Sequence, residues 1–202
     1  MTATVPEAVP QPDAVLRYNN VAVFIHWLTA ILVVIQLYVG FTFHEMERGP
    51  ERGEWFMWHK TLGATILVLA LIRLGWRLMH KPPPFPPELP RWERIAAVWN
   101  HRLFYILLIA IPLTGLLAVS GGADEATTGL AGGLRLPLIP GISEDTGDAS
   151  GNFHEVLVKF TIGLVVLHVA AALKHQFFDR TRAAARMPPF RERDGTPTIP
   201  VN

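Results

Sequence analysis

The chain has 202 residues, of which 50% are hydrophobic and only 17% are charged, well below the roughly 25% of an ordinary soluble domain. A net charge of +1 excludes a protein that binds nucleic acid by bulk electrostatic attraction. The absence of cysteine excludes disulfides, cysteine-ligated zinc, iron–sulfur clusters and covalently attached c-type haem, and leaves histidine as the main candidate metal ligand.

Four apolar stretches predict an all-α fold, an integral membrane four-helix bundle. Residues 19–43 contain no Asp, Glu, Lys or Arg, and residues 101–120 are free of them after Arg102. Residues 55–79 and 153–178 carry charges mainly near their ends, where long side chains reach the headgroups. Each stretch has the roughly 20 residues that a helix needs to cross the hydrocarbon core. A soluble chain of this length would have too little polar surface to cover four such helices.

The remaining segments divide the chain into one membrane domain, residues 17–179, and two tails. Residues 1–16 are rich in Ala, Pro and Val without periodicity, which predicts a disordered tail. Residues 180–202 are rich in arginine and predict a basic cytoplasmic tail near anionic lipid headgroups. The longest loop, residues 120–152, has a length typical of functional or disordered loops.

The basic residues orient the predicted bundle. Twelve of them lie next to one set of helix ends and five next to the other, which by the positive-inside rule places both termini in the cytoplasm. The cytoplasmic set is Arg17, Arg77, Lys81, Arg91, Arg94, Arg102, Lys174, Arg180, Arg182, Arg186, Arg191 and Arg193. The outer set is Arg48, Arg52, Lys60, Arg135 and Lys159. Ten Asp and Glu residues share the outer face, so that face is net negative.

Histidines at membrane depth are functional candidates, because a polar ring in hydrocarbon is costly without a partner. On the fourth predicted helix, His154 and His168 are fourteen residues apart. This spacing puts them within about 40° of the same face and roughly 21 Å apart along the axis. It suits two haems held by one helix at two depths.

Each haem iron needs a second axial ligand at the same depth. His26 lies seven residues inside the cytoplasmic start of the first helix, a depth that matches His168, and His59 opens the second helix as His154 opens the fourth. The sequence therefore predicts two bis-histidine sites, His26/His168 inside and His59/His154 outside. His44 competes with His59, since it lies on the same face of the first helix as His26. The alternative for these histidines is interfacial anchoring or hydrogen bonding between helices.

Arg73 is the charge that lies deepest in the predicted membrane segments. It has two interpretations that the sequence does not separate. In the first, its guanidinium pairs with a propionate of the inner haem. In the second, its long side chain extends to the inner membrane surface.

Several motifs together resemble the bacterial cytochrome b561 family, which comprises four-helix di-haem membrane cytochromes related to the b subunits of nickel-iron hydrogenases. The similarity runs from Arg17 to Pro188, and its most specific part is Gly163–His175. The other motifs are Ile25-His26-Trp27, His59-Lys60-Thr61-Leu62-Gly63 and His154-Glu155. Within the family, the chain is most similar to the group that includes superoxide oxidase, a superoxide:ubiquinone oxidoreductase.

The resemblance implies a bacterial inner-membrane protein with two haems b, whose axial ligands are His26, His59, His154 and His168. It also implies a ubiquinone pocket near the inner haem at His101 and His175, and Lys174 lies at a similar depth. Electrons would enter at the outer haem, pass to the inner one and reduce ubiquinone. The resemblance suggests superoxide as the donor, whereas the acidic outer face equally suits a cationic soluble c-type cytochrome.

Two further functions remain open. The chain could be a haem-bearing membrane anchor that serves a dehydrogenase or hydrogenase as an electron-transfer subunit. It could also be a non-redox, histidine-lined metal transporter, although a transporter predicts acidic residues within the spans.

Overall fold

In a computed structural model, which describes residues 15–178, 183–190 and 197–201, the chain forms a bundle of four long helices. All four are long and apolar enough to cross a membrane, which confirms the predicted all-α membrane bundle. The helices are α1 (Asn20–Glu45), α2 (Pro50–Met79), α3 (Arg91–Ser120) and α4 (Glu144–Phe177).

Three helices begin earlier than the apolar stretches predict, at residue 50 instead of 55, 91 instead of 101, and 144 instead of 153. Hydropathy marks the part of a helix that lies in lipid, whereas caps and prolines decide where the backbone enters the helix. At α4 the Ser143 side chain accepts a hydrogen bond from the Thr146 amide, and the acidic first turn interacts favourably with the helix dipole. Residues 144–152, which were expected to be loop, therefore form the first turns of α4.

The helices pack as two pairs, α1 with α2 and α3 with α4, and α2 also contacts α3. A small core of Ile66, Ala70 and Leu108 lies between α2 and α3. Neither α1 nor α2 packs extensively on α4. A seam therefore separates the α1–α2 pair from α4, and we use the term seam for this gap below.

Both ends of the chain meet at one end of the bundle, which is called the inner end because the charge count predicts it to be cytoplasmic. The strand β1 (Val15–Arg17) pairs in parallel with β4 (Thr198–Pro200). The last two residues of the predicted disordered tail thus belong to a strand, and residues 1–14 of that tail lie outside the described residues. Near this pair, the Trp27 indole donates a 2.6 Å hydrogen bond to the Pro188 carbonyl.

Arg186, one of the arginines of the predicted basic tail, packs against protein groups. It is only 7% exposed, and its guanidinium donates to the Pro83 carbonyl and stacks 4.4 Å from the Phe85 ring centre. A guanidinium is planar and weakly hydrated, so an aromatic ring and a carbonyl can replace water around it. The other tail arginines, Arg180, Arg182, Arg191 and Arg193, lie outside the described residues.

At the outer end, a hairpin lies in the loop between α3 and α4. Its strands are β2 (Thr127–Gly129) and β3 (Arg135–Pro137), which pair antiparallel. Beside it, α3 and α4 approach so closely that their backbones touch. A Cβ atom on Gly121 would lie 2.5 Å from the Gly147 Cα, and one on Gly147 would lie 2.6 Å from the Gly121 Cα.

We expect Gly147→Ala to destabilise the protein by roughly 1–3 kcal/mol, because the added methyl must push two backbones apart. Thermal unfolding of the purified protein in detergent would measure the loss. Gly151→Ala is the matched control one turn along α4, since its Cβ would make an ordinary 3.7 Å contact with the Ala118 Cβ. Equal melting temperatures for the two variants would contradict this account of the crossing.

Candidate functional site

Two histidine pairs face each other across the seam at two depths. Near the inner end, the ring centres of His26 on α1 and His168 on α4 are 6.4 Å apart. Near the outer end, those of His59 on α2 and His154 on α4 are 6.2 Å apart. Each pair joins helices that are not closely packed, so the imidazoles span a gap that the backbones leave open.

The separation of the rings suits two imidazoles that share one metal ion. Two metal–nitrogen bonds of about 2 Å, plus roughly 1 Å from each nitrogen to its ring centre, place the centres about 6 Å apart. Within the described ranges, no three His, Cys, Asp or Glu residues come together as a chelating group. Two facing imidazoles leave the other four coordination positions of an iron to a macrocycle, so the donor set fits haem.

Two of these histidines have an acceptor placed for a proton on Nδ1. His154 Nδ1 lies 2.8 Å from the Ile111 carbonyl oxygen, and His168 Nδ1 lies 3.1 Å from Asn100 Oδ1. Both contacts are made when Nδ1 carries the proton and donates it, which leaves the Nε2 lone pair free. Metal-ligating histidines almost always donate their second N–H in this way, and the contact fixes the orientation of the ring.

Both outer histidines lie against a glycine of the neighbouring helix. A Cβ atom on Gly115 would lie 3.2 Å from His154 Cε1, and one on Gly40 would lie 3.2 Å from His59 Cε1. These contacts are tighter than ordinary packing, so any larger residue would push the ring. The two glycines therefore let each imidazole lie directly on a helix backbone.

Arg73 reaches the inner pair. Its Nη2 lies 2.8 Å from His26 Nδ1, and its guanidinium carbon is 5.7 Å from the Tyr105 ring centre. Arginine can only donate, so in this contact His26 Nδ1 accepts and the ring proton sits on Nε2. Ligation of a metal through Nε2 needs the opposite tautomer, so the Arg73 contact and ligation exclude each other. Once His26 binds a metal, the Arg73 guanidinium is released for an anionic group.

The residues predicted for a quinone pocket have different contacts at the inner end. His101 Nδ1 lies 2.7 Å from the Ala97 carbonyl oxygen, and its ring centre is 5.4 Å from that of His168. Lys174 Nζ instead forms a 2.9 Å ion pair with Glu93, whose other carboxylate oxygen is 3.7 Å from His175 Nε2. His101 thus lies directly beside the inner pair.

His44, the competitor for the outer site, lies in the last turn of α1 and is exposed. The structure instead brings His59 to His154. In an ideal helix His44 would lie on the same face of α1 as His26. At the outer end of α1, however, that side chain is exposed. The ligand assignment itself stays a prediction.

Basic residues near the outer pair differ in their partners. Arg135 pairs with Glu125 at 2.9 Å and Lys159 pairs with Glu155 at 3.1 Å. Lys60, next to His59, donates to the Thr128 hydroxyl and lies 5.0 Å from the Phe56 ring centre. Across the described part of the chain, Lys60 has no carboxylate within ion-pair distance, so its charge is not neutralised by a neighbour.

Several residues that shape the site were not predicted. They are Gln36, Gly40, Glu93, Asn100 and Gly115. Gln36 and Glu93 carry a signal in the sequence, since one is a polar amide within an uncharged span and the other is an acid within a basic segment. The two glycines and Asn100 carry none, because their role depends on how the helices are rotated.

The chain is similar to several known proteins. Residues 17–189 match the family model described as prokaryotic cytochrome b561. Cytochrome b561 homolog 2 of Escherichia coli strain K12 is 29% identical over 178 residues, which cover 85% of this chain and 90% of that protein. Probable superoxide oxidase CybB of Yersinia pestis is 28% identical over 177 residues, which cover 86% of this chain and 96% of that protein. Cytochrome b561 homolog 1 of Escherichia coli strain K12 is 28% identical, with 87% and 99% covered.

The hairpin is attached to α2 beside the outer pair, since Lys60 donates to Thr128 and the Ala131 amide donates to Thr61 Oγ1 at 2.9 Å. We expect Lys60→Met or Thr61→Val to weaken this attachment by about 1 kcal/mol, which makes the opened hairpin roughly fivefold more populated. Limited proteolysis within residues 127–137 would measure it. Lys159→Met is the control, because Lys159 pairs with Glu155 on its own helix and both side chains are exposed. Faster cleavage in this variant as well would contradict a specific attachment.

Proposed function

The chain belongs to the prokaryotic cytochrome b561 family of b-type haem membrane proteins, and on that premise we propose that it binds two haems and moves electrons from superoxide to ubiquinone. The observation that carries the proposal is the presence of two imidazole pairs, with ring centres 6.4 and 6.2 Å apart, at two depths of one seam. The proposed location is the bacterial inner membrane, with the His59/His154 pair facing the periplasm.

Four histidines have the ligand role in this proposal. His26 and His168 would hold the inner haem, and His59 and His154 the outer haem. The haems supply the one-electron chemistry, and the protein contributes position and tuning. With two imidazoles holding each haem, a donor would pass on its electron without binding the iron.

Arg73 is proposed to hold a propionate of the inner haem. Its contact with the unprotonated His26 Nδ1 is lost on ligation, and a buried guanidinium then needs another acceptor. A carboxylate matches the fork of N–H donors better than any neutral group does.

Superoxide is the proposed donor because an unneutralised cation, Lys60, lies next to an outer ligand on an otherwise acidic face. A relative that is 28% identical is named probable superoxide oxidase, which is consistent with this donor. Two superoxide anions would each lose one electron to become dioxygen. Ubiquinone would take up the two electrons together with two protons and become ubiquinol.

Protons and the quinone are assigned to the inner end. His101 uses Nδ1 for the Ala97 carbonyl, which leaves Nε2 for a quinone oxygen. The nearby group of Glu93, Lys174 and His175 contains titratable side chains at contact distance, which suits the relay of protons from the cytoplasm.

Ligand variants test the haem assignment. We expect His168→Ala to lose the inner haem and His154→Ala the outer one, so each should remove about half of the haem per chain. Haem content and the reduced-minus-oxidised absorption spectrum would measure the loss. His44→Ala is the control and should keep both haems, since His44 is exposed at the end of α1. One haem per wild-type chain, or none, would contradict the proposal.

A second pair of variants tests the donor. We expect Lys60→Met to slow quinone reduction by superoxide by roughly threefold or more at low ionic strength, and the difference to shrink with added salt. Thr61→Val is the matched control, because it also loosens the hairpin and keeps the charge. Stopped-flow measurement of superoxide decay would give both rates. Turnover with a soluble c-type cytochrome and none with superoxide would reject superoxide as the donor.

A further inference from the structure

The third helix, α3, carries none of the four proposed haem ligands, yet it contacts both candidate ligands of α4. At the outer pair, the main-chain carbonyl oxygen of Ile111 lies 2.8 Å from His154 Nδ1. At the inner pair, the side-chain oxygen Oδ1 of Asn100 lies 3.1 Å from His168 Nδ1. The outer contact uses the backbone, whereas the inner contact uses a side chain that a substitution can remove.

Three neighbouring side chains of α3 surround the His168 ring. The ring centres of His101 and Phe104 lie 5.4 and 5.3 Å from its centre, and both rings stand nearly perpendicular to it, at 85° and 82°. Asn100 and Phe104 are one helical turn apart and therefore share a face of α3. The two aromatic rings limit the tilt of the imidazole, and the Asn100 oxygen fixes the direction of its Nδ1 edge.

The other member of the inner pair, His26, has a different contact at Nδ1. Arg73 Nη2 lies 2.8 Å away and can only donate, so this contact is lost when a metal binds His26 Nε2. The Asn100 oxygen is an acceptor, so its contact with His168 is compatible with ligation. His168 is thus the inner ligand whose ring the protein holds in the orientation that ligation needs.

The acceptor on His168 has a chemical consequence for a metal bound on the other side of the ring. A metal on Nε2 requires the proton on Nδ1, which then donates to Asn100 Oδ1. Such a hydrogen bond fixes the tautomer and raises the basicity of the ligand. A more basic ligand stabilises the ferric form relative to the ferrous form, so the reduction potential of the haem falls.

We propose that Asn100 is the positioning residue of the inner haem ligand His168, and that its side-chain oxygen sets the ring orientation and lowers the reduction potential of the inner haem. The inference rests on the proposed function, since it needs a haem at His26/His168. Asn100 acts through His168, so the outer haem keeps its potential when Asn100 is changed.

The test is a redox titration and a low-temperature electron paramagnetic resonance spectrum of Asn100→Leu in the holoprotein. We expect the one-electron equilibrium of the inner haem to shift about tenfold toward the reduced form, which is about 59 mV upward. The low-spin ferric signal of that haem should also change, because it reports the angle between the two ligand rings. The outer haem should keep its wild-type potential and signal. His154→Ala, which is proposed to retain the inner haem alone, identifies the inner signal.

Asn100→Asp separates loss of the acceptor from loss of packing. It keeps an oxygen at the position of Oδ1, so we expect it to retain the inner haem with a potential at or below the wild-type value. Thr161→Val is the control for removal of a buried polar group, since the Thr161 hydroxyl donates to the Leu157 carbonyl of its own helix. This control should keep both haems and both potentials. An upward shift in Asn100→Asp equal to that in Asn100→Leu would contradict the role of the oxygen.

Asn100→Ala is the deciding variant if the leucine variant does not fold. Loss of the inner haem alone in either of these variants, with retention in Asn100→Asp, would also support the proposal. Two haems with unchanged potentials and signals would overturn it and leave the proposed function standing. A wild-type protein without an inner haem would overturn both.

Discussion

The fold depends on the cost of placing imidazole rings in hydrocarbon. A ring at that depth must have a partner, and the histidines that meet across the seam do so between helices that are otherwise not closely packed. Packing is closest within the two helix pairs, where glycines bring α3 and α4 into backbone contact, and α2 also packs on α3 through the small core. The gap between the α1–α2 pair and α4 is thus crossed by imidazole rings, and a flat cofactor fits such a gap.

The charged side chains at the two ends of the bundle have different partners. At the outer end, Arg135 and Lys159 are each paired with a carboxylate. Lys60 instead donates to Thr128 of the hairpin and has no carboxylate partner among the described residues. At the inner end, Arg73 contacts His26 and the Tyr105 ring, and Glu93 pairs with Lys174 and His175. A fixed cation without a counter-ion suits an anion that arrives and leaves, whereas a cluster of titratable groups suits proton transfer.

Hydropathy and helical spacing predicted the four helices and the depths of the facing histidines, because both follow from the rise per residue and the thickness of the membrane. The full length of α3 and α4 was not predictable in this way, since capping by Ser143 and a preceding Pro90 acts outside the lipid. The contacts of Gln36, Gly40 and Asn100 depend on how each helix is rotated against its neighbours. That rotation is a property of the whole packed bundle and leaves no local pattern in the chain.

The pairing of β1 with β4 has a consequence for how the protein is made. The two strands come from opposite ends of the chain, and Trp27 on α1 likewise bonds to Pro188. Chains are synthesised from the N-terminus at about 5–20 residues per second. Pro188 and β4 are therefore made roughly ten seconds or longer after α1. Until then the inner end of the bundle lacks both the β1–β4 pairing and the hydrogen bond from Trp27 to Pro188, so these contacts form last.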